Sequence, residues 1–431
     1  MPHVFVAGAG TSGHPDPAMA IQHAVDRCLA GLNGARADVV MIFFSMHHVG
    51  AAGALAHVAQ RRLSPSALLG CSAEAVLGGE TELENAPGVS VLALGLPGVK
   101  LCAFITDDLS IPRESGPLSP GAPASRGSVA AAGIDAAHRG TILLCDPFSV
   151  PLPPLLAALA RERPRPVGDR RPTPIIGGLA SAGARPGSNA LLINDRVLKS
   201  GGVGISFSGP VQIDTVVSQG CRPLGPPMLV TGVKGQMITQ LGGKPAFGVL
   251  HELIDAMPDI ARQDLGKGLF LGRAVSEYKD RFGRDDFILR SVIGVDREHG
   301  ALAVADILRV GQTVRFHIRD AATAHEDLAL LLDAQRLYDR PAAGLLFSCT
   351  GRGTRLFAEP HHDARAVSTA FAEPPSAEHK AKGGRPLSAP DPTLLPLAGF
   401  FAAGEIGPIG SEVILHGQTA ALALFRRPQP D

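Results

Sequence analysis

The sequence of 431 residues contains no tryptophan and only two tyrosines, so a platform on which nucleic-acid bases could stack would have to be built from phenylalanine. It also lacks an excess of charge of either sign, because 40 lysines and arginines balance 40 aspartates and glutamates. A neutral chain provides no long-range field that would attract nucleic acid or an anionic membrane. We therefore expect neither nucleic-acid binding nor binding to a membrane surface.

Long apolar runs and paired cysteines are missing as well. No stretch reaches the roughly 18 apolar residues that a membrane-spanning helix needs, and the first residues lack the basic region of a signal peptide. The six cysteines never form a Cys-x-x-Cys pair, which favours buried, reduced thiols over a zinc ribbon or a disulfide scaffold. The sequence thus predicts a cytoplasmic protein without a membrane segment.

Strand and helix patterns alternate along the chain, which indicates an α/β fold. Asp16 is expected to cap a helix that begins at Pro17. The apolar run 39–44 is typical of a buried strand. An amphipathic helix is expected over 247–257, and a strand over 314–318 that leads into another helix. We expect mixed sheets flanked by helices, organised in two domains.

Three segments interrupt these patterns with proline, glycine, serine and charge. They cover residues 110–128, 161–174 and 372–393. Segments of this composition bury too little apolar surface to offset their ordering entropy, so we interpret them as mobile loops.

An internal repeat is visible in the glycine-rich segments. The segment Leu69–Gly79 (LGCSAEAVLGG) is similar to Ala398–Pro408 (AGFFAAGEIGP), and the two align from Gly70 and Gly399 onward. A weaker third copy is Ile176–Gly183 (IGGLASAG). Each copy follows an apolar strand and precedes another one. The pattern predicts a duplicated unit of strand, helix, glycine-rich strand and closing strand, although chance similarity in a chain rich in alanine and glycine is the alternative.

The motif Gly8-Ala-Gly10-Thr-Ser-Gly13 has the glycine spacing of a dinucleotide-binding loop. Its context differs, because Pro15 and Pro17 delay the following helix and remove amide donors. The next strand also ends without an acid to bind a ribose hydroxyl. We expect a glycine-rich turn here rather than a nucleotide site.

The sharpest candidate for chemistry follows the strand at 344–347. Here the residues Cys349, Gly351, Arg352 and Gly353 form a flexible turn with a thiol and a guanidinium. Backbone amides and an arginine at a strand end suit a carboxylate or another anion. The arginine would also lower the pKa of the thiol and make Cys349 reactive. A turn whose arginine forms a structural ion pair is the alternative.

Other charged residues and histidines are candidates for ligand or metal binding. Glu405 lies in the terminal glycine-rich copy and His416 just beyond it, where they would act as acid and base or hold an amino group. Pairing with Arg352 or with the backbone is the alternative. Arg319 ends a strand beside Asp320, where a structural ion pair is the alternative. The pairs His47–His48 and His361–His362 lack the spacing of a zinc site, so no metal is expected.

Together these segments resemble the FIST family. The resemblance to the FIST C domain lies in Phe347–Gly353, Leu397–Pro408, Leu415–Gly417, Thr419–Phe425 and Phe316–Ala321. The resemblance to the FIST N domain lies in Gly70–Val76, Val89–Gly95 and Val216–Thr231. Two positions depart from the usual motifs, with Ala75 in place of a glycine and Ala402 in place of a cysteine.

The resemblance implies a stand-alone sensory protein of bacterial type that binds a small ligand, such as an amino acid, and signals to another protein. We expect a FIST N-type domain over 1–225 and a FIST C-type domain over 226–427. The expected ligand-binding residues are Cys349, Gly351, Arg352, Gly353, Glu405, His416 and Arg319. Arg352 and the turn amides would bind a ligand carboxylate, and Glu405 would bind an ammonium group.

The family resemblance leaves three other functions open. Some bacterial relatives are similar to haem-binding nitric-oxide sensors, in which a histidine would be the axial ligand. An enzyme with Cys349 as nucleophile would need a base, for which His416 is the candidate. A scaffold protein would instead present a large apolar patch. We expect no enzymatic activity and no bound cofactor.

Overall fold

The computed structural model describes residues 5–111, 129–165, 171–258, 262, 265–266, 268–279, 281–283, 286–373 and 394–428. Most of the three expected loops, namely 112–128, 166–170 and 374–393, lies outside the described residues. The chain forms two compact units. Unit 1 contains Met1–Val217, Leu331–Leu415 and Ala420–Asp431, and unit 2 contains Ser218–Leu330 and His416–Thr419. These units are defined by packing in space, and the sequence-based domain boundary at residue 225 stays a prediction.

The first half of unit 1 contains the same arrangement of strands twice. Repeat 1 consists of β1 (Val6–Ser12), β2 (Val39–Ser45), β3 (Ala67–Ala73), β4 (Val76–Gly78), β5 (Thr81–Leu83) and β6 (Val89–Gly95). Repeat 2 consists of β7 (Lys100–Ile105), β8 (His138–Cys145), β9 (Ile175–Leu179), β10 (Leu191–Ile193), β11 (Arg196–Leu198) and β12 (Gly202–Ser208). In each, the second and third strands run parallel, and the last strand pairs antiparallel with the second.

A third copy begins with β13 (Gln212–Gln219) and is interrupted by unit 2. The strands of unit 2 are β14 (Cys221–Lys234), β15 (Met237–Leu241), β16 (Lys244–Pro245), β17 (Leu269–Ala274), β18 (Phe287–Asp296), β19 (Ala301–Val304) and β20 (Thr313–Arg319). They form one sheet in the order β14-β20-β17-β18-β19-β15-β16. Repeat 3 then continues with β21 (Ala343–Cys349), β22 (Leu397–Ala402), β23 (Glu405–Ile409), β24 (Glu412–His416) and β25 (Thr419–Arg426).

Each repeat gives its two-stranded hairpin to the sheet of another repeat. The three sheets of unit 1 have the orders β1-β6-β2-β3-β10-β11, β7-β12-β8-β9-β23-β24 and β13-β25-β21-β22-β4-β5. The hairpin of repeat 1 (β4 and β5) therefore completes the sheet of repeat 3. The hairpin of repeat 2 (β10 and β11) completes the sheet of repeat 1, and the hairpin of repeat 3 (β23 and β24) completes the sheet of repeat 2. This cyclic exchange ties the first and last thirds of the chain into one unit.

The repeat predicted from the glycine pattern is confirmed at the level of backbone contacts. In all three copies the aligned glycine lies opposite a residue of the parallel neighbouring strand. A Cβ atom placed on this glycine would overlap the backbone carbonyl oxygen of that neighbour, so only glycine fits. The distance from the added Cβ atom to the carbonyl oxygen is 2.2 Å for Gly70 and Ile42, 1.8 Å for Gly177 and Leu143, and 1.9 Å for Gly399 and Leu346.

The three sheets share one apolar core. Phe43 of β2 contacts Phe400 of β22 with ring centroids 5.0 Å apart and Phe347 of β21 at 6.4 Å. The alternate residues of β2, including Ile42 and Phe44, face the helices of repeat 1 instead. Burial on both faces explains why β2 is a continuous apolar run rather than an alternating one.

The described helices include α1 (Pro17–Leu32), α2 (Ala52–Leu63), α3 (Leu152–Glu162), α4 (Ala246–Asp255), α5 (Ala321–Gln335) and α6 (His362–Ala370). The expected cap of α1 is confirmed, since the side chain of Asp16 accepts a hydrogen bond of 2.9 Å from the amide of Met19. The mixed sheets and the helices that flank them agree with the expected α/β class. No helix among the described residues is long and apolar enough to cross a membrane.

The expectation of a glycine-rich turn over residues 8–13 is wrong. Residues 8–12 lie in β1, which pairs antiparallel with β6. A Cβ atom on Gly8 or Gly10 would come within 2.0 Å of a carbonyl oxygen of α1. These glycines therefore allow close packing between a strand and a helix, and they do not form a phosphate-binding loop.

We predict that Gly399→Ala destabilises the protein by at least about 1–3 kcal/mol, because the added methyl group would overlap the carbonyl of Leu346. Gly50→Ala is a matched control, since a Cβ atom there meets nothing within 4 Å. Urea unfolding of both variants would measure the two changes in the free energy of unfolding. Equal effects of the two substitutions would contradict the proposed constraint.

Candidate functional site

The repeats can be compared residue by residue through their aligned glycines. Arg352 follows β21, the second strand of repeat 3, at the position that His48 has after β2 of repeat 1 and Ser149 has after β8 of repeat 2. His48 is 1% exposed, and its ring nitrogens have no hydrogen-bond partner among the described residues. Repeat 3 thus differs from the others by a guanidinium at this strand end.

Arg352 forms a buried ion pair with Asp363. Its Nε donates to Asp363 Oδ2 at 2.6 Å and its Nη2 donates to Oδ1 at 2.8 Å, and both side chains are 0% exposed. The hydroxyl of Ser348 donates to the same carboxylate at 2.8 Å. Phe357 lies under the guanidinium at 5.3 Å and stacks on His362. Buried carboxylates with this many donors are held in one position.

The two charges stabilise each other inside the protein. Burial by itself would lower the pKa of Arg352, but the adjacent Asp363 carboxylate raises it, with further contributions from Cys349 and Glu405. Burial by itself would raise the pKa of Asp363, but Arg352 and His362 hold it well below its usual range. Both groups of the pair are therefore charged at neutral pH.

Two acids, Glu82 within β5 and Glu84 directly after it, bind the segment that follows Arg352. Glu82 accepts a hydrogen bond of 3.0 Å from the amide of Ala364 at the start of α6. Glu84 accepts bonds from the amide and the hydroxyl of Thr354, at 3.0 and 2.9 Å. Since residues two apart on an extended strand share a face, one side of the hairpin supplies both contacts.

The Glu82 carboxyl is 3% exposed, and its Oε2 has no partner among the described residues. Burial and the nearby Asp363 charge raise the pKa of Glu82 to about 8, although the amide of Ala364 acts in the opposite direction. Glu82 is therefore largely protonated at neutral pH, beside an ionised Asp363.

A small cleft opens at the end of β21. It is open to solvent, encloses about 30 Å³, and is lined by Glu74, Ala75, Glu84, Asn85, Thr350, Thr354, Arg355 and Phe401. Arg355 pairs with Glu74 and also donates to the carbonyl of Thr350 at 2.8 Å. Two carboxylates and one guanidinium thus face the same space. Such a site can bind a zwitterion or a cation through charge-assisted hydrogen bonds.

The structure brings five of the seven expected site residues together in unit 1. Cys349 is 5% exposed at the end of β21, and Gly351, Arg352 and Gly353 lie in the turn that follows. Gly353 has a φ of 58°, and a Cβ atom there would lie 2.6 Å from the Glu84 carboxylate. The buried Glu405 begins β23 and contributes to the electrostatic environment of Arg352.

The other two expected residues belong to unit 2. Arg319 ends β20 and pairs with Cys221 of β14, and His416 is the last residue of β24. The cleft itself is lined by Thr350 and Thr354, which are sequence neighbours of the expected residues. The binding roles assigned to all seven residues stay predictions.

Sequence reasoning missed the charged residues that line or support the cleft. Glu74 lies inside the SAEAV motif, and Arg355 follows the turn that was singled out. Their ion pair joins residues 281 positions apart, which no local pattern reveals. Asp363 follows the pair His361–His362, and no local pattern indicates that it is the partner of Arg352. Among the described residues, no group of three or more His, Cys, Asp or Glu side chains is arranged to hold a metal ion.

Comparison with known protein families finds two matches that together span most of the chain. The model of the FIST N domain matches residues 38–244, and the model of the FIST C domain matches residues 246–408. An uncharacterized protein of Mycobacterium tuberculosis is 36% identical over 422 residues, which covers 97% of this chain and 99% of the relative. An uncharacterized protein of Mycobacterium bovis is also 36% identical over 422 residues, covering 97% of this chain and 98% of the relative.

We predict that Arg352→Met and Asp363→Leu each destabilise the protein by about 3–5 kcal/mol, because each leaves an uncompensated buried charge. The double variant should lose less than the sum of the two single losses. Urea unfolding of the four proteins in a double-mutant cycle measures this coupling. Additive losses would mean that the two side chains do not stabilise each other.

Proposed function

The chain belongs to the FIST family, and from this membership together with the cleft we propose that it is a sensory protein that binds a small ligand. FIST domains are associated with sensory and signal-transduction proteins that bind small molecules. The proposal places the ligand in the cleft at the end of β21. The observation that supports it is that residues of the FIST N motif and of the FIST C motifs line the same cleft.

The cleft joins parts of the chain that the sequence separates. Glu74 and Ala75 come from the SAEAV motif of repeat 1, Thr350 from the turn after β21, and Phe401 from β22. The amide of Phe401 donates to the carbonyl of Ala75 at 3.0 Å, which fixes the two motifs to each other. A ligand in this cleft would contact residues of both the FIST N and the FIST C domain.

The charges of the cleft favour an amino acid as the ligand. Its carboxylate would accept hydrogen bonds from Arg355, and its ammonium group would donate to Glu84. Arg352 and Glu405 remain the pair that the sequence suggested for these roles. Because the Asp363 carboxylate already fills the fork of Arg352, the contacts favour Arg355 as the group that meets the ligand.

Binding without catalysis agrees with the environment of Cys349. Its side chain is 5% exposed, whereas a nucleophilic thiol needs access to its substrate. Haem does not fit the cleft, because an axial ligand is needed and no histidine is among the lining residues. We therefore favour a small-ligand sensor over an enzyme or a haem-based gas sensor.

A sensor of this kind must pass its signal to another protein. We propose a downstream signalling protein as the partner, without a role for nucleic acid. The cytoplasmic location expected from the sequence stays a prediction.

We predict that at least one of the twenty common amino acids raises the melting temperature of the wild-type protein. Arg355→Ala should weaken the affinity for that amino acid about 10- to 100-fold, because a charge-assisted hydrogen bond is lost. Isothermal titration calorimetry measures the change.

Arg365→Ala is the matched control, since Arg365 is exposed on α6 and does not line the cleft. It should leave the affinity unchanged. Equal affinities of wild type and Arg355→Ala would rule out the proposed pose.

A further inference from the structure

We propose that Glu82 is a proton-dependent latch on the rim of the cleft, so that α6 stays closed on β5 while Glu82 keeps its proton and opens with loss of that proton. The inference rests on the proposed function in one respect, because it takes the cleft as the ligand site. The latch itself is a property of the protein without ligand.

Three hydrogen bonds fasten α6 to the hairpin of β4 and β5. The Glu82 side chain accepts from the amide of Ala364 at 3.0 Å, and the Glu82 amide donates to His361 Nδ1 at 3.0 Å. At the other end of the helix, the Ser368 hydroxyl donates to the carbonyl of Gly79 at 2.5 Å. Two of the three bonds involve Glu82, which makes this residue the main attachment of the helix to this hairpin. The Arg352–Asp363 pair separately holds α6 to the turn after β21.

The surroundings of Glu82 disfavour a second negative charge. Asp363 lies beside Ala364, and its charge is already matched by Arg352, which donates two side-chain hydrogen bonds to that carboxylate. The Oε2 atom of Glu82 is buried without a partner among the described residues. An ionised Glu82 would therefore be a buried, half-satisfied carboxylate next to another carboxylate, which is costly.

Other ionisable groups face this position from each neighbouring element. His361 and His362 lie at the start of α6, and Glu84 comes directly after β5, the strand that contains Glu82. Glu84 adds to the negative potential at Glu82. Glu80 lies in the turn between β4 and β5 and is exposed. The guanidinium of Arg352 donates its hydrogen bonds to Asp363.

Attachment of α6 bears on the cleft because β5 holds the cleft rim as well. Glu84, two residues after Glu82, binds Thr354, and both residues line the cleft. The neighbouring Arg355 supplies the cleft guanidinium. Opening of α6 would therefore loosen the strand end that positions Glu84, and ligand binding would weaken as pH rises.

The direction and range of the pH effect follow from the two states of the carboxyl. In the closed protein the pKa of Glu82 is about 8, against an ordinary value of 4.5 once α6 has opened. The closed state thus binds the proton more tightly. Opening should become about tenfold more frequent per pH unit between 4.5 and 8, and should level off above about 8.

Hydrogen exchange of the full chain without ligand tests the latch. Exchange is measured from pH 5.5 to 9, and the protection of α6 amides is corrected for the intrinsic pH dependence of exchange. We expect protection to fall about tenfold per pH unit up to about pH 8 and then to level off. Strand β8, in another sheet, serves as the internal reference and should show no such slope.

Glu82→Gln keeps an acceptor for the amide of Ala364 but cannot ionise, so its α6 protection should not change with pH. Glu80→Gln, which removes an exposed acid from the same hairpin, should retain the wild-type slope. Two results would overturn the latch: a pH-independent α6 in the wild type, or an unchanged slope in Glu82→Gln. If Glu82→Gln does not fold, the wild-type profile of α6 against β8 still decides.

Failure of the proposed function would look different. A wild-type slope in α6 together with no response to any amino acid would leave the latch standing and remove the amino-acid ligand. A bound amino acid with a pH-independent α6 would leave the ligand site standing and remove the latch.

Discussion

The buried ion pair between Arg352 and Asp363 is the interaction on which the candidate site depends. Asp363 lies near the start of α6 and Arg352 in the turn after β21, so the pair fixes the loop between them. That loop contains Thr354 and Arg355, which line the cleft. With both side chains fully buried, neither can leave the other without exposing an unmatched charge to an apolar interior. The pair thereby gives the cleft a defined wall.

The threefold strand arrangement explains where such a wall can form. In each repeat the third strand adjoins a hairpin from another repeat and the second strand runs beside it, so unit 1 has three comparable ends of second strands. Repeat 1 has His48 at the position of Arg352, and repeat 2 has Ser149. Only the third strand end among these combines a buried ion pair with acids donated by the hairpin of repeat 1. We infer that the scaffold is shared and that the site is specific to repeat 3.

Several features of the fold were accessible from the sequence because they depend on local physics. The cap at Asp16 needs only its own helix, and the apolar run of β2 follows from burial on two faces. The repeat was visible because Gly70 and Gly399 meet the same steric constraint, a carbonyl oxygen of the parallel strand. The weak third copy could be recognised for the same reason.

The exchange of hairpins could not be predicted, since three-residue strands such as β4 carry too little pattern to specify a partner. Its pairing with β22 joins Gly78 to Ala398, far apart in the chain. The glycines at 8 and 10 were misread because close helix packing and phosphate binding both require glycine. The sequence predicts Arg352 as a ligand-binding group, but the structure pairs its guanidinium with Asp363 of the same chain. This contact depends on the folded structure and has no local sequence pattern.

The central claim, that the cleft holds a small ligand, is tested most directly by native mass spectrometry of the freshly purified protein. The mass of the native protein is compared with the mass measured after denaturation. The account predicts an excess in the native protein that disappears on denaturation and that matches a molecule of amino-acid size. Identical masses, combined with no increase in melting temperature from any small polar ligand, would contradict it.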